Sequence, residues 1–182
     1  MHRTCARDFA QAGAKRQSMI RCILAGVVAT YVLAVFQSTL GGRLAVGGVS
    51  PDLLFVWSVC IGLLSGAEAG AAVGFGSGFL EGGLQQAWTG ALAISKGASG
   101  FASGLVATKV FRDNWLVPPV SAAVLTLLNE AIFLALARGV EWRQAGEIVG
   151  VRMVYHALLA PIFFAAASRA RRSLLGQQAE VG

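Results

Sequence analysis

The chain has 182 residues, of which 55% are hydrophobic and only 13% charged, and its mean hydropathy is +0.65. A soluble domain of this size carries nearer a quarter charged residues, so this composition cannot cover a water-facing globule and points to lipid as the solvent. The net charge of +6 is held at the two ends and in one short loop, which fits topology determinants beside anionic lipid and excludes a basic nucleic-acid face.

Residues 1–18 form a polar, basic tail that includes Arg3, Arg7, Lys15 and Arg16. The charge-free run from Cys22 to Gly42 follows. It is too long for a signal-peptide core and no Ala-x-Ala site closes it, so it is expected to be a retained first span over about 20–41. Gly41-Gly42-Arg43 to Ser50 reads as a loop. A second span, about 51–64, opens at Pro51-Asp52, where Pro suits a first helical turn and Asp complements the helix N-terminus.

From Gly62 to Gly82 a glycine recurs every fourth residue: Gly62, Gly66, Gly70, Gly74, Gly78 and Gly82. Positions i and i+4 share a helix face, and in lipid a stripe of small residues lets a second backbone approach closely. Ser65 to Ala69 is expected to turn, with a third span over about 69–84. Glu81-Gly82-Gly83-Leu84-Gln85-Gln86 breaks the hydrophobicity before Trp88 and reads as a loop or re-entrant bend. A fourth span, about 90–108, carries Lys96, Gly97, Gly100 and Gly104. Lys109 to Asn114 is a charged loop, and a fifth span, about 115–137, holds Pro118-Pro119 near its start and Glu130 inside. Arg138 to Glu147 reads as a polar loop, a sixth span, about 148–168, contains Arg152 and His156, and a short tail, 173–182, follows.

The expected fold is therefore an all-α integral membrane protein, a compact bundle of about six transmembrane helices over 19–172. Basic residues support the even count. With both ends cytoplasmic, the inner segments hold Arg3, Arg7, Lys15, Arg16, Arg21, Lys109, Arg112, Arg169, Arg171 and Arg172, and the outer loops only Arg43, Arg138 and Arg143.

Chemistry-bearing motifs are sparse. There is no GxSxG, HExxH or P-loop pattern, and the GxG at Gly74-Phe75-Gly76 lacks a preceding strand. Cys5, Cys22 and Cys60 are far apart and form neither a disulfide framework nor a metal set. The expectation is a non-enzyme with no cofactor and no metal. Glu81, Lys96, Glu130, Arg152 and His156 are the intramembrane polar residues. Charges in lipid cost ~2.5–3.5 kcal/mol at the span centre and normally face the bundle interior in pairs. Interhelical pairing, of Glu130 with Arg152 or Lys96, competes with a substrate or proton pathway, and Lys96 has Glu81 as a further possible partner.

Pro51-Asp52-Leu53, Gly66, Gly70, Gly74-Phe75, Gly78-Phe79-Leu80, Gly90, Ser95-Lys96, Gly100-Phe101 and Gly104 together resemble the bacterial rod shape-determining MreD family over about 51–104. The family usually carries an Asp where this chain has Gly82, and the nearest acid here is Glu81. The resemblance implies a non-enzymatic, multi-pass scaffold of the cell-elongation (rod) complex in the bacterial inner membrane. Its partners would be an MreC-type bitopic coiled-coil protein, peptidoglycan synthases and, indirectly, MreB filaments. The family's bundle is similar to the S-components of energy-coupling-factor transporters, so a vitamin-binding subunit is the competing expectation, with a pocket lined by groups such as Glu81, Lys96, Glu130 or His156.

Overall fold

A computed structural model of the chain describes residues 24–39, 43, 45, 49–109, 116–137 and 142–176, with side chains described at all of these except 108–109, 142–147 and 174–176. The basic tail, Cys5, Cys22 and the loop 110–115 lie outside the described residues. Within them the chain is all-helical. Six helices run in order: α1 (Leu24–Thr39), α2 (Leu53–Ser65), α3 (Ala67–Gln85), α4 (Thr89–Lys109), α5 (Val117–Leu136) and α6 (Trp142–Gly176).

The centre of the fold is α2. Its mixed apolar sequence LLFVWSVCIGLLS has no polar face, as expected of a helix surrounded by others. Phe55, Val56, Val59, Cys60 and Leu63 form the core with Ala107 of α4, Ala122 and Leu125 of α5 and Ala160 of α6. On its other side, Trp57 Nε1 donates to Thr30 Oγ1 of α1 at 3.1 Å. The helix has 13 residues and is ~20 Å long, so it is shorter than a bilayer core. Two helices are long and apolar enough to cross a membrane, Val117–Leu136 and the Ile148–Ser173 part of α6.

Gly66 makes the α2–α3 turn in one residue. Its φ of +99° is open to glycine and disfavoured for other residues, and its amide closes onto Gly62 O at 2.9 Å. The expected five-residue turn is therefore compressed, and Glu68 sits in the first turn of α3. The break expected at 81–86 is likewise shorter. The helix continues through Gln85, because Glu81 and the two following glycines keep helical backbone, and the chain reverses over Gln86, Ala87 and Trp88. Gln86 (φ 54°) and Trp88 (φ 48°) both adopt left-handed conformations there. Pro118 and Pro119 fall in the first turn of α5, where a missing N–H costs no helical bond. The segment expected as a loop over 138–147 is helical from Trp142.

The α3–α4 hairpin is held along a glycine seam. A Cβ on Gly70 would fall onto Gly100 O, one on Gly74 onto Lys96 O, one on Gly78 onto Leu92 O, and one on Gly82 onto Thr89 Cα. Each step of four along α3 moves back by about four along α4, which is the register of antiparallel helices in backbone contact. Gly104 meets Ala67 in the same way, and a Cβ on Gly62 of α2 would fall 2.6 Å from Gly100 O. Of the eight glycines expected to pack, Gly66 differs. It has open space around its Cβ position and serves as the turn.

Polarity in this bundle is inverted relative to a water-soluble domain. Tyr31, Val32, Phe36, Phe75, Phe79, Ile94, Phe101, Val124, Leu158 and Ile162 are among the exposed large side chains. The buried set includes Lys96, Ser58, Ser77, Ser95, Ser99, Ser103, Thr126 and His156. The serines satisfy themselves on carbonyls of their own helices, as Ser99 Oγ does on Ser95 O at 2.9 Å.

Candidate functional site

Lys96 is the most deeply placed charge, with none of its side chain exposed. It stands on α4 where Gly74 lets α3 come down onto its own carbonyl. Its Nζ lies 2.5 Å from Asp52 Oδ2 and also binds Glu81 Oε2. Two carboxylates from different elements thus close on one ammonium. Glu81 reaches it because α3 stays helical to Gln85. Gly82 is pressed against Thr89 and has no room for a side chain. The other oxygen of Glu81, Oε1, accepts from Gln85 Nε2 at 3.0 Å.

Asp52 has a second duty. It caps α2, with Oδ1 accepting from Phe55 N at 2.9 Å. Gln37 of α1 supports the same helix end. Its Oε1 accepts from Leu54 N at 3.1 Å and its Nε2 approaches Asp52 Oδ1 at 3.5 Å. The Asp52 amide donates to His156 Nε2 of α6 at 3.2 Å. The N-terminal end of α2 is thus tied to α1, α4 and α6 at once.

The hydrogen bonds around His156 assign its tautomer. Thr126 Oγ1 donates its only proton to Ala122 O at 2.6 Å, so it can only accept from His156 Nδ1, 2.8 Å away. Nε2 is already accepting from Asp52 N. The proton therefore sits on Nδ1 and the ring is neutral, a structural strut between α2, α5 and α6. Phe55 lies against the imidazole with ring centroids 4.9 Å apart.

Glu130 and Arg152 pair with each other, Nη1 donating to Oε1 at 2.6 Å. Of the partners open to Lys96 and Glu130 in the sequence, Lys96 takes Glu81 and Glu130 takes Arg152, and Asp52 is a second partner of Lys96 that the sequence reading did not offer. Asp52, Glu81, Glu130 and Arg152 then line one cavity of about 570 Å³, together with Gln37, Asn129, Trp88 and Phe133. Lys96 lies behind its wall. The cavity lies where α1, α3 and α5 end and α2, α4 and α6 begin, so it opens at one end of the bundle. Trp88 stands edge-on to Phe133, 6.0 Å between centroids and 84° between planes. Two buried polar atoms here have no hydrogen-bond partner: Asn129 Oδ1 and Arg152 Nε.

Other motif residues lie elsewhere. Pro51 and Leu53 are buried beside Asp52, Gly90 has open space around it, and Phe75 is 53% exposed on the outer face of the hairpin. Gln37, Thr126 and Asn129 escape the sequence reading. The signal for Gln37 is an amide inside an otherwise charge-free apolar run, and that for Asn129 is a polar pair, Asn129-Glu130, in the middle of a span. No family model, characterised protein or solved structure matches the chain.

Proposed function

We propose that this chain is an integral membrane scaffold of MreD type, a non-enzymatic component of the bacterial cell-elongation complex. The single observation that carries the reading is the Asp52–Lys96 ion pair. It joins the two most distinctive stretches of the resemblance, Pro51-Asp52-Leu53 and Ser95-Lys96, across 44 positions of sequence. Glu81, just beyond the Gly78-Phe79-Leu80 stretch, completes the cluster. The motif residues therefore act on one structural object, the anchoring of the short central α2 to the α3–α4 hairpin.

The inverted polarity supports a lipid setting, since α1, α3, α4, α5 and α6 expose large apolar side chains and the buried charges are paired. Six crossings with the basic segments inside put both termini in the cytoplasm. The cavity then opens on the outer side. In this reading the rigid hairpin offers its outer faces, including Phe75, Phe79 and Phe101, to the single span of an MreC-type partner, and through it to peptidoglycan synthases and MreB filaments. Co-expression with an MreC-type protein tests it: the pair should co-purify in mild detergent, and depletion of the chain should round rod-shaped cells. Rods that persist on depletion, with no stable pair, would overturn the scaffold.

A second reading has its own observation. A cavity of about 570 Å³ lined by convergent charged and aromatic groups is the size and character of a small-molecule site, as a substrate-binding transporter subunit requires. Co-purification with an ATPase module would favour it.

A further inference from the structure

We propose that the cavity binds a small organic cation, an ammonium group carried with an oxygen acceptor on a compact apolar body. This rests on the cavity being a ligand site, the second reading above, and is independent of the scaffold. The charges give the sign. By formal count, three carboxyl groups, Asp52, Glu81 and Glu130, stand at the cavity against two cations, Arg152 and the enclosed Lys96, one acid more than the bases present. His156 adds none, because its hydrogen bonds hold it neutral. An excess charge in a low-dielectric site calls for a partner of opposite sign.

Unpartnered atoms give the hydrogen-bond pattern independently. Asn129 is only 6% exposed, lines the cavity, and its Oδ1 has no donor. A buried carbonyl oxygen left so is a rarity in native structures and asks for an N–H or O–H. It adjoins Glu130 in sequence, so an ammonium at this wall meets a neutral acceptor and a carboxylate together. Arg152 Nε is a buried donor with no acceptor. A hydroxyl or carbonyl oxygen near the ammonium satisfies it. Two aromatic residues also line the cavity, Phe133 one turn beyond Asn129 on α5 and Trp88 set against it. Aromatic faces attract a desolvated cation and bury its apolar body. Trp88 is held there at a φ of 48°, a backbone conformation that a bulky residue adopts only where its surroundings impose it.

A matched series separates these features: 2-amino-1-phenylethanol (cation), 1-phenylethane-1,2-diol (neutral) and mandelate (anion). Each is titrated into the full chain in lipid nanodiscs, read by tryptophan fluorescence and by thermal shift. A molecule this small reaches a Kd on the order of 1 mM. The amino alcohol should bind at least about tenfold more tightly than the diol, the worth of one charge-assisted hydrogen bond, and mandelate should not bind. Asn129→Leu and Glu130→Gln should each weaken the amino alcohol about tenfold. Ile162→Val, on an exposed face of α6 away from the cavity, should leave it unchanged. The unliganded melting temperature of each variant reports whether the fold is kept. Binding of the diol or mandelate as tight as that of the amino alcohol, lost in Asn129→Leu, would overturn the cation assignment and keep the ligand site. No Asn129-dependent binding by any of the three would overturn both.

Discussion

Gly78→Ala adds one methyl group to α3, and its effect can be worked out from the seam. The new Cβ would lie 2.5 Å from Leu92 C and 2.7 Å from Ala93 Cα, against an ordinary contact of 3.4–4 Å. The obstacle is backbone, which has no rotamer to change. Restoring contact therefore moves α3 from α4 by about 1 Å at this level, a gap of the size that forfeits a quarter to a half of the dispersion well for every atom pair it opens. Overpacking of this kind costs ~1–3 kcal/mol. Against it stands the helix preference for Ala over Gly, ~0.8–1 kcal/mol. The neighbouring Gly76→Ala isolates that second effect, because its Cβ has open space around it. Gly76→Ala should be neutral or stabilising by up to ~1 kcal/mol, and, because the helix preference is common to both, Gly78→Ala destabilising relative to it by ~1–3 kcal/mol. Denaturant unfolding in mixed micelles, followed by tryptophan fluorescence, measures both. Equal stability of the two variants, within about 0.5 kcal/mol, would refute the claim that backbone contact at this seam holds the hairpin.

Removing the cation from the buried cluster should be severe: Lys96→Met leaves Asp52 and Glu81 facing each other without compensation and should cost ~3–5 kcal/mol in the same unfolding assay. Neutralising the acids as well, in Asp52→Asn/Glu81→Gln/Lys96→Met, should recover most of that loss, and a triple variant no better than the single one would contradict the pairing. His156→Phe keeps the ring but orphans the Asp52 amide, with an expected loss of ~1–3 kcal/mol that His156→Gln, able to accept the same bond, should partly rescue. At the α3–α4 turn, Gln86→Gly should stabilise by ~1 kcal/mol, because an exposed residue in the left-handed C-cap position is where glycine is favoured; a lower melting temperature would show that Gln86 makes an unrecognised contact.

Helix number and the order of the helices are legible in the sequence because apolar runs and glycine clusters alternate along the chain. So is the seam, since a four-residue glycine period has a direct meaning on a helix face. The sequence is less informative at Glu81-Gly82-Gly83. Polar and glycine residues there lower the hydropathy and suggest a break, yet the helix continues, because Lys96 draws Glu81 into the interior and Thr89 packs on Gly82. Local composition cannot report a partner 15 positions away on the next helix. The choice among Lys96, Glu130 and Arg152 is open in the sequence for the same reason. Two of the three pairings considered there are realised, and the arbiter is the rotation of α4 and α5 about their axes. Asn129 is legible only as a polar residue in a span, since nothing in a one-dimensional pattern says that its oxygen lacks a donor.

The seam and the charge cluster are a single device. Gly74 has its backbone against the carbonyl of Lys96, so the glycine that brings α3 close is the one that sets the depth of the lysine. Lys96 then holds Asp52, and Asp52 starts α2. In the membrane setting proposed above, a helix of 13 residues cannot fix its own depth by hydrophobic length, since it is about 10 Å too short to match the hydrocarbon core. Its position has to come from attachment at its ends. The C-terminal end is attached by the one-residue turn at Gly66 and by Gly62 against Gly100, and the N-terminal end by the ion pair and the Gln37 and His156 hydrogen bonds. The cavity lies at that N-terminal end, bounded by the residues that make the attachment.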